Sequence, residues 1–195
     1  MPNDRQGYNP ELRFPMKNTA VLIIDMQNDY LRHEGLEDCK ATLIEAINRL
    51  VFRARESSWP IIWVVSEFAA DLSDAFPEMR HAGIKIVIEE TEGAQLIEEL
   101  DCSAEDYRIV KKRYSAFFNT ELDRLLVKLD VERVILAGVN THACVRTTAI
   151  DAYQRDIEVI IPQECVASYD SDHHDISLRY MGGKIAEVVP LAEIR

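Results

Sequence analysis

The sequence predicts a three-layer α/β/α domain built on a parallel sheet, and three observations carry that expectation. Six short runs are almost continuously apolar, at residues 20–25, 61–66, 108–111, 133–138, 157–161 and 185–189. Uninterrupted Val/Ile/Leu runs of this length suit strands buried on both faces, as parallel strands are. Segments of helical period separate them, and strands alternating with helices imply right-handed crossovers. The third observation is length: 195 residues suit one domain, 1–195, with one sizeable core.

The elements follow in order. After the first run, Leu43, Ile44, Ile47, Leu50, Val51 and Ala54 mark one face of a helix. Leu122, Leu125, Leu126 and Leu129 mark another before the fourth run. A third helix is expected over 141–154, with Thr141 as its N-cap, and a fourth over 171–180. Residues 68–91 are the least regular part, holding Pro77, Gly83 and one ambiguous apolar patch at 84–88. Such a segment after a strand is a lid, an oligomer contact or a plain surface loop.

Composition excludes several classes. The net charge is −12, from 34 acidic and 22 basic residues, whereas nucleic acid or an anionic membrane would want a basic face. The apolar runs are too short to span a bilayer, and the polar N-terminal stretch with Pro2, Pro10 and Pro15 does not read as a signal peptide. Cys39, Cys102, Cys144 and Cys165 form no CxxC pair and read as reduced thiols, which places the protein in the cytoplasm.

In an open parallel sheet the ligand lies beyond the carboxyl ends of the strands. The first run ends at Asp25, the third at Lys111 and the fourth leads through Asn140 and Thr141 to Cys144. An acid, a cation and a thiol therefore fall at one rim. Each has a plainer reading: Asp25 as a turn residue, Lys111 as a solvated lysine, Cys144 as a small buried hydrophobe. Placed in the first turn of a helix and beside a lysine, however, Cys144 is expected to have a lowered thiol pKa and to act as a nucleophile. His142 lies two residues before Cys144, and side chains two apart on a helix do not face each other, so Asp25 is the better acid/base. His173 and His174 beside Asp172 and Asp175 read as a polar helix start rather than a metal site.

Three motifs carry a resemblance. They are Val-Leu-Ile-Ile-Asp-Met-Gln-Asn-Asp at 21–29, Val-Lys-Lys-Arg-Tyr-Ser-Ala-Phe-Phe-Asn-Thr at 110–120, and Ala-Gly-Val-Asn-Thr-His-Ala-Cys-Val-Arg-Thr-Thr at 137–148. In that order the sequence resembles the isochorismatase-like cysteine hydrolases. The resemblance implies a six-stranded, mainly parallel sheet of order 3-2-1-4-5-6 and an Asp–Lys–Cys triad falling on Asp25, Lys111 and Cys144, with Lys111 chosen over Lys112. It also implies a non-proline cis peptide at Val139–Asn140, an oxyanion hole from the N–H groups of Asn140 and Cys144, and a homodimer or homotetramer.

Nicotinamidases of that family carry an Asp-x-His metal site after the second strand. Here the region reads Ser66-Glu67-Phe68-Ala69-Ala70-Asp71, so neither a nicotinamidase nor a metal or other cofactor is expected. The resemblance points to C–N bond hydrolysis of a small amide or ureide through a thioester, with the look of the ureide-cleaving branch. Gln27, Tyr30, Tyr114 and Phe117 are expected pocket walls, although the aromatics, and Phe117 above all, stand equally as core packing. Arg146 faces either a substrate carboxylate or a neighbouring helix. Two rivals stay open: a vinyl-ether hydrolase that uses Asp25 and not the thiol, and a non-catalytic oligomeric binding module.

Overall fold

The structure, a computed structural model, describes residues 17–194, and the polar, proline-bearing start of the chain lies outside them. In chain order the elements are β1 (Thr19–Ile24), α1 (Asn28–Leu31), α2 (Glu34–Glu37), α3 (Lys40–Glu56), β2 (Ile61–Ser66), α4 (Pro77–Ala82), β3 (Tyr107–Lys111) and α5 (Leu122–Lys128). Then come β4 (Arg133–Val139), a π-type turn (Thr141–Val145), α6 (Arg146–Tyr153), β5 (Glu158–Pro162), β6 (Val166–Ala167), α7 (Ser171–Gly182) and β7 (Glu187–Val189).

The sheet runs β3-β2-β1-β4-β5-β7, with β6 pairing β4 off that path. Every ladder between these strands is parallel. The six expected strands are therefore present in the expected order, and a seventh, only two residues long, is too short to leave a pattern in sequence. Alternate side chains sort to the two faces, as a period of two requires. Val21, Ile23, Trp63, Ile135 and Ala137 join the α3 layer, where Ile47, Leu50 and Val51 pack. Leu22, Ile24, Val64, Val134 and Leu136 join the opposite layer, built from Leu122 and Leu126 of α5, Ala149 of α6 and Met181 of α7. Among the described residues no helix is long and apolar enough to cross a membrane.

Two expected strands begin late for one reason. Ile157 N–H bonds the Ala152 carbonyl at 3.1 Å, and Ile185 and Ala186 N–H both bond the Met181 carbonyl, at 2.8 and 2.9 Å. Those backbone groups are spent on closing α6 and α7, so the ladders start one residue on at Glu158 and two residues on at Glu187. The first strand stops at Ile24 because Asp25 sits at φ 54°. The segment 68–91 is no bare loop. It holds α4 and a small core of its own around Phe68, Leu72, Met79 and Val87.

One glycine is demanded by the crossing of β4 and β1. Gly138 has φ 109°, and a Cβ there would stand 2.0 Å from the Ile24 carbonyl oxygen. Gly138→Ala is expected to cost about 3 kcal/mol or more. Gly83→Ala, at φ 65° with open space around it, is expected to cost about 1 kcal/mol. Urea unfolding of both variants checks this; equal losses would remove the close approach as the cause.

Candidate active site

Three neighbouring strands, β3 at the edge of the sheet with β2 and β1 beside it, end at one rim. Asp25 follows β1, Ser66 ends β2 and Lys111 ends β3, with Ser66 and Lys111 in direct register. In β3 the alternation buries Ile109 and Lys111 and exposes Val110. A lysine at 111 is thereby turned inward, while Lys112 pairs with Asp74 at 2.7 Å nearer the surface. The left-handed backbone at Asp25, which a non-glycine residue adopts at a cost, turns the chain out of the strand there.

Lys111 Nζ lies 2.8 Å from Asp25 Oδ2, 2.8 Å from Ser66 Oγ and 3.4 Å from Cys144 Sγ. Ser66 Oγ in turn donates to Asp25 Oδ1 at 2.9 Å. Asp25 and Lys111 are 1% exposed and Cys144 7%. The thiol is carried in by the π-type turn, in which Val145 N–H reaches back to the Asn140 carbonyl at 3.3 Å. The Val139–Asn140 peptide is cis. Asn140, not Thr141, stands at the start of this turn, and the Thr141 hydroxyl pairs with His174 Nδ1 at 2.9 Å instead of capping.

The electrostatics correct one expectation. Burial pushes the Cys144 thiol up to about 12, the Asp25 carboxylate pushes the same way, and Lys111 opposes both without reversing them. A first-turn location and a lysine neighbour therefore do not give a resting thiolate, because desolvation of the anion outweighs them. Lys111 shows the converse balance: burial disfavours its charge, but Asp25 and Cys144 together raise its pKa. The resting set is a neutral thiol beside a carboxylate–ammonium pair, and it can pass the sulfur proton to the carboxylate.

Of the expected pocket walls, two are coupled electrostatically to the thiol. Tyr30 has its phenol pKa raised well above the ordinary value by burial, then by Asp25 and Cys144. Tyr114 is 51% exposed, and burial and then Cys144 raise its pKa. The other two are corrected. Gln27 is fully buried, its amide N–H groups donating to the Ser66 and Ala94 carbonyls at 2.8 and 2.7 Å and its oxygen accepting from Ser66 N–H at 2.8 Å. With those bonds made it braces the end of β2 against the turn at 92–94 rather than meeting a ligand. Phe117 is 3% exposed with the Arg155 guanidinium 4.4 Å over its ring, which is core packing.

His142 does not face the thiol; its Nδ1 bonds Ser168 Oγ. His173 pairs with Asp170 at 3.1 Å, and no metal-holding group of three such side chains occurs among the described residues. Arg146 lies over the Tyr180 ring at 4.5 Å and so faces α7. The segment 68–91 is tied to Tyr114 and to the start of α1. Phe76 packs on Tyr114 at 4.9 Å, and Asp29 Oδ2 accepts from Val87 N–H at 2.7 Å. Sequence reasoning missed Ser66. A strand order of 3-2-1 puts the end of the second run between Asp25 and Lys111, and that was the available signal.

Residues 19–193 match the family model described as the isochorismatase domain. A probable inactive nicotinamidase of Arabidopsis thaliana is 37% identical over 147 residues, covering 72% of this chain and 75% of that protein. The ureidoacrylate amidohydrolase RutB of Cronobacter sakazakii is 29% identical over 165 residues, covering 73% and 71%. A cysteine hydrolase of Pseudomonas syringae shares the fold with a TM-score of 0.86 at 27% identity, covering 93% of each chain.

A raised thiol pKa has a direct readout. Iodoacetamide labelling of Cys144 is expected to rise about tenfold per pH unit from pH 7 to 10 with no plateau. Asp25→Asn removes one of the charges that holds the thiol up, so labelling at fixed pH should accelerate. Peptide mass spectrometry separates Cys144 from the exposed Cys102 and half-buried Cys39. A wild-type plateau below pH 9, or slower labelling in the variant, would contradict this balance.

Proposed function

Because the chain belongs to the isochorismatase family, we propose that it is a cysteine-dependent hydrolase that cleaves a C–N bond of a small amide or ureide through a thioester. The observation that carries the reading is the single buried ammonium of Lys111 held between a carboxylate and a thiol. Asp25 takes the Cys144 proton as the sulfur attacks the carbonyl, and Lys111 stabilises the negative charge the two groups share. The N–H groups of Asn140 and Cys144 hold the oxyanion. Protonated Asp25 then gives its proton to the departing nitrogen. In the second half, Asp25 activates the water that hydrolyses the thioester. Each step uses side chains and backbone of this chain, so the route calls for no metal or cofactor.

A neutral thiol fits this order of events. An acceptor that shares the Lys111 ammonium with the thiol lets proton transfer accompany attack, so no free thiolate has to accumulate in a dry site. The substrate class rests on two supports: the 110–120 stretch with its ureide-branch look, and the likeness to a ureidoacrylate amidohydrolase. Nicotinamide is not proposed, although a relative is named as a probable inactive nicotinamidase, since the Asp-x-His arrangement is missing at 66–71. Tyr30 and Tyr114 flank the bound substrate. The working form is a homodimer or homotetramer.

The test is ammonia release from biuret, ureidoacrylate, maleamate and nicotinamide, with Cys144→Ser alongside. Turnover of biuret or ureidoacrylate, lost at least about 10³-fold in Cys144→Ser, is the expected outcome. Ammonia release that survives in the variant would overturn the thiol-dependent route. Activity on none of the four would sink the amide and ureide reading.

A further inference from the structure

Ser66 is the last residue of β2, 2% exposed, and its hydroxyl is fully engaged. It accepts from Lys111 Nζ at 2.8 Å and donates to Asp25 Oδ1 at 2.9 Å. The Tyr30 phenol lies beside the same oxygen. A lysine ammonium has three protons, and here three acceptors surround it: Asp25 Oδ2, Ser66 Oγ and Cys144 Sγ. Asp25 Oδ2 makes no hydrogen bond beyond its ion pair with that ammonium, whereas Oδ1 is taken by the serine proton. Each carboxylate oxygen thus has one partner, Oδ1 the serine and Oδ2 the ammonium, and Oδ2 is the oxygen on the side of the lysine, which also meets the thiol.

We propose that Ser66 is a positioning residue: its hydroxyl fixes Asp25 and Lys111 in register and leaves Oδ2 as the carboxylate oxygen that receives the thiol proton. In that step the S–H bond of Cys144 breaks and an O–H bond forms at Oδ2, while Ser66 keeps its own proton on Oγ. The proposal rests on the reading of Asp25 as the proton acceptor. The groups that face Asp25 are Ser66, Lys111, Cys144 and Tyr30, and of these Ser66 is the one that binds the carboxylate without itself titrating. A hydrogen bond to a carboxylate favours its charged form, so removing the donor must raise the proton affinity of that carboxylate.

The experiment reads that affinity without any substrate. The Asp25 carboxyl resonance is followed by ¹³C NMR of aspartate-labelled protein across pH, and its loss in Asp25→Asn assigns it. Ser66→Ala is expected to move the midpoint up by about one pH unit, about tenfold in proton affinity. Ser66→Thr keeps the hydroxyl and should stay within about 0.3 unit. Ser66→Cys, close in shape but a weaker donor, should move it the same way by less. With whichever panel compound the wild type turns over, Ser66→Ala should lower kcat about 10–100-fold and leave KM within about threefold. An unmoved midpoint in a cooperatively unfolding Ser66→Ala protein overturns the proposal. If that variant does not fold, an unmoved midpoint in Ser66→Cys does so. A shifted midpoint in a protein that hydrolyses none of the four compounds would leave the Ser66 network standing and remove the amidase reading instead.

Discussion

The pair of buried charges at Asp25 and Lys111 sets the terms for everything around it. Two ions taken out of water cost several kcal/mol each, and their mutual attraction offsets this only when geometry and hydrogen bonding are complete. The neighbouring residues supply that completeness. Ser66 bonds both ions, and Gln27 is spent bracing Ser66 and Ala94 through their backbone groups. Strand register is part of the same requirement. Lys111 reaches the site because it shares a face of β3 with Ile109, and a slip of one residue would turn Val110 inward and the ammonium out.

That arrangement also explains the state of the thiol. A helix-start position and a cation argue for a thiolate, and in an exposed site they would win. Here burial is the largest influence, and the carboxylate that balances Lys111 adds a second negative group beside the sulfur. Lys111 cannot neutralise both. The lysine is therefore divided between two groups, and its pull on the thiol proton is outweighed by burial and the carboxylate together. A thiol held neutral in this way resists indiscriminate alkylation and oxidation, since both need the thiolate.

Much of this was legible in the sequence, and the limits have physical causes. Continuous apolar runs gave the central strands, because a parallel sheet covered on both faces buries β1, β2 and β4 along their whole length. Their N-terminal ends were misjudged at Ile157, Ile185 and Ala186, which are apolar and partly or fully buried yet spend their N–H groups on closing helices. Periodicity reads burial and not hydrogen bonding. The rim rule placed Asp25, Lys111 and Cys144 together without any reference to relatives. It could not separate Gln27 and Phe117, which lie near the triad in sequence and point elsewhere, from Tyr30 and Tyr114, which border it. Ser66 escaped notice because a serine closing a strand is ordinary until the neighbouring strands are known to end in an acid and a lysine.

No local element carries two members of the site. Asp25 and Ser66 are 41 residues apart, Ser66 and Lys111 45, Lys111 and Cys144 33. Contacts of that separation form only after long loops have closed, so the ion pair cannot assemble before β1, β2 and β3 are registered. Gly138 adds a steric condition, since β4 delivers the thiol only if its backbone can lie against the Ile24 carbonyl. The charges cannot then stabilise a partly formed sheet: in any state where one of them is buried without its partners, desolvation has no compensation. The apolar faces of β1, β2 and β4 must therefore provide the driving force, and the polar cluster decides which register of that sheet is tolerated. Packing supplies the stability, and the functional cluster supplies the specificity.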